Sequence, residues 1–111
     1  MRSLMLLLFL TPLLWAQQGA LGKVQFTGGT VVRVTNHVVT LSWSACTGAS
    51  SYNVYRGTVH GGPYRKIIAG VTSTSAIDLN AQHGATYYYV STSVNSQGES
   101  GYSNETIATI P

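Results

Sequence analysis

The sequence predicts an all-β fold, a seven-stranded Greek-key sandwich, and three observations carry that prediction. The first is the palette. Of 111 residues only six are Lys or Arg and three are Asp or Glu, while Ser, Thr, Gly, Asn and seven Tyr fill the polar positions. Such a chain, poor in Glu and Lys, favours strands joined by turns. The second is periodicity. From Val31 onward apolar residues alternate with polar ones in short runs, each bounded by Gly, Asn, Ser or Pro. The third is what is missing from that stretch: no run puts apolar residues at i, i+3, i+4 and i+7 between caps, so no helix is expected in it.

The first sixteen residues stand outside the fold reasoning. Arg2 gives a short positive start, Leu4 to Trp15 is apolar except for Thr11 and Pro12, and Ala16 offers a small residue ahead of Gln17-Gln18. The run is short for a bilayer core of about 30 Å and reads as a secretory signal peptide, residues 1–16. An uncleaved anchor is the alternative. Residues 17–30, rich in Gly and Gln, read as a flexible leader in which Val24 to Phe26 adds at most a frayed edge strand. Residues 31–111 form the domain. Cleavage removes one Arg and leaves a net charge of +2, thinly spread with a single Arg65-Lys66 pair. That is no basic patch for nucleic acid, and the charges are expected to lie on solvated surface.

The strands are expected at Val31 to Val34, Val38 to Ala45, Ser51 to Arg56, Tyr64 to Ile68, Ser73 to Leu79, Thr86 to Val94 and Asn104 to Ile110. Over 38–45, Val39, Leu41 and Trp43 share one face while Thr40, Ser42 and Ser44 share the other, the mark of a strand with one buried side. Pro63 excludes 57–63 from a central strand. Seven short strands at near-regular spacing in a domain of roughly 100 residues are the pattern of a two-sheet Greek key. An immunoglobulin domain proper would need a disulfide between sheets and a Trp on the third strand. Cys46 is the only cysteine, and Trp43 lies on the second strand.

The chain from 31 to 110 resembles the fibronectin type III family, the immunoglobulin-like sandwich without the disulfide. The matching pieces are Val-Thr-Leu-Ser-Trp-Ser at 39–44, Ser-Tyr-Asn-Val-Tyr-Arg at 51–56, Gly-Gly-Pro-Tyr at 61–64 and Gly-Ala-Thr-Tyr-Tyr-Tyr-Val at 84–90. Val-Asn-Ser-Gln-Gly-Glu-Ser at 94–100 and Tyr-Ser-Asn-Glu at 102–105 complete them. The 51–56 and 61–64 pieces are similar to versions in bacterial exported proteins. The resemblance implies that Trp43 is the central core aromatic, with Tyr52, Val54 and Tyr89 around it and Val39 and Leu41 on the same strand face. It implies that Tyr87 is a tyrosine corner, its hydroxyl bonded to backbone just upstream. Ser91 and Ser93 depart from the family on the Tyr87 face, where they bury hydroxyls that need partners.

No constellation for catalysis, metal or cofactor is legible. Asp78, Glu99 and Glu105 fall on different strands and loops. Glu99 and Glu105 flank the last turn in what is expected to be open solvent, with nothing to shift their pKa. His37, His60 and His83 lie in separate turns without a ligand spacing and are expected to be solvated. Cys46 is expected to be inert in a monomer, with a disulfide between two copies as the alternative. What remains is a surface. Tyr55, Tyr64, Tyr88 and Tyr102 are not all expected in the core, and exposed aromatics on a rigid sheet suit recognition of a protein or polysaccharide. Cross-strand pairing that only stabilises the sheet competes with that reading. The functional expectation is a secreted or cell-surface, non-catalytic module that binds, or else a ligand-free spacer from a larger exported enzyme or surface protein.

Overall fold

The alternation over 38–42 forms the centre of the smaller of two sheets. The structure, a computed structural model, describes Val24, residues 32–35 and residues 37–111; residues 1–16, the rest of the leader and Val31 lie outside the described residues. Strand β1 (Val32–Thr35) pairs antiparallel with β2 (Val38–Ser42), with Val34 opposite Val39. On its other side β2 pairs with β5 (Ser75–Asp78), with Leu41 opposite Ala76. The larger sheet runs β4 (Arg65–Val71), β3 (Ser51–Gly57), β6 (Thr86–Asn95). Along the far side of β6 lie β7 (Gly98–Glu99) and then β8 (Thr106–Thr109).

The architecture is the expected antiparallel sandwich, with eight strand elements in place of seven. The difference lies in the last strand, which pairs with β6 at both ends and bows away in the middle. There two serines stand in for the ladder. The Ser93 amide donates to the Ser100 hydroxyl at 2.9 Å while the Ser100 amide donates to the Ser93 carbonyl at 2.8 Å. Ser91 and Ser103 repeat the exchange, at 2.9 Å in both directions. The donors of β6 are thus satisfied without a neighbouring strand, as buried amides must be. Other boundaries shift less. β4 begins after Tyr64 and runs on to Val71, and β5 begins at Ser75. β2 ends at Ser42, leaving Trp43 held by its amide on the Thr74 carbonyl at 3.0 Å.

Between the sheets Val39, Leu41, Trp43, Tyr52, Val54, Tyr87 and Tyr89 are all buried, joined by Ala81, Ala108 and Ile110. Val24, from the leader, is fully buried in the same cluster. The Trp43 and Tyr52 rings meet edge to face, centroids 5.4 Å apart. The Tyr87 hydroxyl accepts from the Gln82 amide at 3.0 Å, the tyrosine corner. Ser91 and Ser93 are fully buried, and the Ser91 hydroxyl donates to the Asn53 carbonyl at 2.8 Å.

One part of the core is ionic, which corrects the expectation that all charges lie on solvated surface. Asp78 is 3% exposed. Its Oδ2 accepts from Arg56 at 2.7 Å and from the Tyr89 hydroxyl at 2.6 Å, and its Oδ1 from the Asn80 amide at 3.0 Å. The Arg56 guanidinium lies 4.7 Å from the centroid of the Tyr87 ring. Burial works against the Asp78 charge, but the Tyr89 hydroxyl, the Asn80 amide and Arg56 outweigh it and hold the carboxyl below its usual range. Period-two alternation puts Arg56 on the side of Tyr52 and Val54, and Asp78 on the side of Ala76.

The strand directions fix the two poles. β1 starts beside the end of β2, since Val32 faces Leu41, and β8 ends beside the start of β6, since Thr109 faces Thr86. Since β3 starts beside the end of β6, with Ser51 facing Val94, β1 starts at one pole and β8 ends at the other.

Candidate functional site

The site is built on the outer face of the larger sheet. Along β3, Tyr52 and Val54 point into the core, so Asn53 and Tyr55 point outward. Along β6 the same rule turns Val90 and Thr92 outward, yet both are almost fully buried. A second layer covers this face, made by side chains that reach over it from β3, the approach to β4 and the bowed segment 100–105.

Of the four tyrosines that the sequence nominates, the structure gathers three. The Tyr55 and Tyr102 rings lie 5.1 Å apart at 70°, and the Tyr64 and Tyr102 rings 5.2 Å apart at 79°. Each such edge-to-face pair is worth about 0.5–1.5 kcal/mol beyond the area it buries. Tyr88 stands apart, its ring 6.0 Å from that of His60. Tyr55 and Tyr64 are half-buried, and Tyr102, at the crest of the bow, is 44% exposed.

Two carboxylates pin this group, and both correct the expectation that nothing shifts their pKa; Glu99 is exposed as expected, while Glu105 is half-buried. Glu99 Oε2 accepts from the Asn53 side-chain amide at 3.0 Å, from the Thr92 hydroxyl at 2.6 Å and from the Tyr55 hydroxyl. Those donors, Thr92 first, then Tyr55 and Asn53, pull the Glu99 carboxyl down to about 2. Burial and the facing carboxylate push the Tyr55 hydroxyl up to about 12. Glu105 does the same for the second ring. Its Oε2 accepts from the Tyr64 hydroxyl and from the Gly61 amide at 2.8 Å, and its Oε1 lies 2.5 Å from His60 Nδ1. Burial opposes the Glu105 charge, but the Tyr64 hydroxyl, the Gly61 amide and His60 hold its carboxyl below the ordinary range. Burial and Glu105 push Tyr64 up to about 12. His60, expected to be solvated, is exposed but tied to Glu105.

Local backbone explains how Tyr64 arrives there. The loop 58–64 folds back over the end of β3, and a Cβ at Gly57 would lie 2.6 Å from the Pro63 carbonyl oxygen and 3.1 Å from the Tyr64 ring. Only glycine allows that approach.

This chemistry positions groups and does not transfer protons. At neutral pH the carboxylates are ionised and saturated with donors on one oxygen or both, and the tyrosines are protonated. General acid–base work needs a pKa near the operating pH, and these are driven away from it. Cys46 is half-buried, and burial pushes its thiol up, although a hydrogen bond with Ser93 works the other way. That disfavours the reactive thiolate. The His37 and His83 rings lie 5.4 Å apart, tilted at 59°, in the turns at one pole. Among the described residues no group of three or more His, Cys, Asp or Glu could hold a metal, and no helix is long and apolar enough to cross a membrane.

The strand order, the tyrosine corner and the buried Trp43 without a disulfide define the class as a fibronectin type III sandwich. An Fn3-like protein of Clostridium thermocellum is 35% identical, over 83% of this chain and 88% of that one, with a TM-score of 0.65. The chain belongs to the fibronectin type III family. It is also 41% identical over 85 residues to an amylopullulanase of Thermoanaerobacterium thermosulfurigenes, and 46% identical over 71 residues to one of Thermoanaerobacter thermohydrosulfuricus. Those matches take in 76% and 63% of this chain and 5% of each enzyme, so the chain spans a small fraction of the curated relatives. A β-1,2-glucanase of Parabacteroides distasonis contains the same fold at a TM-score of 0.69 and 19% identity, over 82% of this chain and 13% of that one. No family model matches.

Proposed function

We propose that this chain is an accessory module of a larger exported protein that acts on polysaccharide, and that it spaces and orients its neighbours without catalysing anything. The observation that carries the reading is the 41% identity with a segment amounting to 5% of an amylopullulanase. The fold supports it, because strands that enter at one pole and leave at the other suit a module threaded between neighbours. The apolar run with its Arg2 start supports export to the cell surface or beyond it. The half-buried Cys46, with its raised thiol, favours a unit that is not linked to a second copy by disulfide.

An immunoblot of the source organism's cells and culture supernatant, with antibody raised to the chain, tests the reading. The expected band is much heavier than 111 residues and coincides with polysaccharide hydrolysis in an activity-stained gel. A band at the mass of the 111 residues alone, with no hydrolase attached, overturns it. Recognition by the module itself is the second reading, and the pinned Tyr55–Tyr64–Tyr102 group favours it.

A further inference from the structure

Beside Tyr102 the outer face opens into a cleft of about 270 Å³ lined by Tyr55, Thr92, Glu99, Ser100, Gly101 and Tyr102. We infer that this cleft is a carbohydrate subsite that takes one neutral pyranose unit of a polysaccharide, stacked on Tyr102 and hydrogen-bonded to Glu99. The inference rests on the module's own surface and not on what the module is attached to.

Four features converge on that ligand. The cleft is small beside pockets for drug-sized molecules, roughly 300–1,000 Å³, and it is open, which suits a single ring of a longer chain passing over it. Its exposed apolar element is an aromatic ring, whose face accepts the C–H side of a sugar. Its polar elements suit hydroxyl groups. Glu99 receives all three internal donors on Oε2, and Oε1, which takes none of them, is left to accept from a ligand. An ionised carboxylate on the wall turns away phosphate and acidic sugars. A protein partner fits less well, because a stable interface needs roughly 1,000 Å² with an apolar centre. Around Tyr102 the wall is Thr92, Glu99, Ser100 and Gly101, with Tyr55 its one other aromatic member.

The site is also organised before any ligand arrives. Tyr102 is braced by two rings, those two rings are tied to carboxylates, and Glu99 is tied to β3 and β6. A side chain that is already fixed gives up little entropy on binding, so even a shallow contact yields measurable affinity.

Affinity electrophoresis of the full chain tests this in native gels containing amylopectin, barley β-glucan, galactomannan or polygalacturonate. The expected result is retardation by at least one neutral polysaccharide and none by polygalacturonate. Tyr102→Phe should stay within about threefold of the wild-type affinity, while Tyr102→Ala loses about tenfold, the upper end of the scale for a lost aromatic contact. Glu99→Gln should also weaken binding, and Tyr88→Ala, outside the cleft, should not. Thermal melts of each variant separate a lost contact from a lost fold, and Tyr102→Phe keeps the test decisive if Tyr102→Ala fails to fold. No retardation by any neutral polysaccharide, retardation by polygalacturonate alone, or equal loss in Tyr102→Phe and Tyr102→Ala would overturn the inference. The immunoblot outcome is independent of all three.

Discussion

Asp78 joins three elements through one side chain: Arg56 of β3, Tyr89 of β6 and its own strand β5. Removing one partner from a buried ion pair strands the other, at a cost of about 3–5 kcal/mol. Asp78→Ala is therefore expected to lower the urea midpoint far more than the removal of any surface charge, as fluorescence-monitored unfolding would read. Glu99 makes a different prediction. Its pKa is depressed in the folded state, from 4.5 to about 2, so its contribution is present above the ordinary carboxylate value and is lost as pH falls through the depressed one. Stability should therefore fall between about pH 5 and pH 2, with Asp78 acting in the same direction, and Glu99→Gln should flatten part of that slope. Melting curves across the window check the sign. Neither partnership was legible from the residues taken singly. Arg56 and Asp78 could have been matched by parity, because each falls on the inward side of its strand. Nothing local to Glu99 announces that Asn53, Tyr55 and Thr92 surround it, since those neighbours come from strands more than forty positions away on one side and seven on the other.

The strands themselves were legible, because alternation over 38–45, 51–56 and 86–94 is a local property that the sheet then uses. What local pattern could not show is the break in the last strand. Residues 104–110 alternate well enough to be read as one strand, yet pairing begins only at Thr106. The Ser100 and Ser103 hydroxyls replace ladder partners that no periodicity encodes. Ser103→Ala should expose the cost of that replacement. It leaves the amide of buried Ser91 without its acceptor, which is worth about 1–3 kcal/mol, and amide exchange at Ser91 should quicken more than at Val90. If exchange at Ser91 were unchanged, the side-chain bridge would carry no weight. The bow also explains why three nominated tyrosines meet and the fourth does not. Tyr102 is lifted to the crest between Tyr55 and Tyr64, while Tyr88, nearer the opposite end of β6, sides with His60.

At the scale of the molecule the core rests on Trp43. Truncating a buried Trp costs about 3–5 kcal/mol, against a total stability of about 5–15 kcal/mol for a typical domain. Trp43→Ala is expected to abolish cooperative unfolding, whereas Tyr88→Ala should melt as the wild type does; identical curves would show that the core is elsewhere. The two poles have a mechanical consequence. A tensile load applied between β1 and the end of β8 runs lengthwise along β8 and its four registered pairs with β6. Those hydrogen bonds would then be sheared together and not peeled apart one by one. A sandwich loaded in this way resists extension with its whole last strand at once.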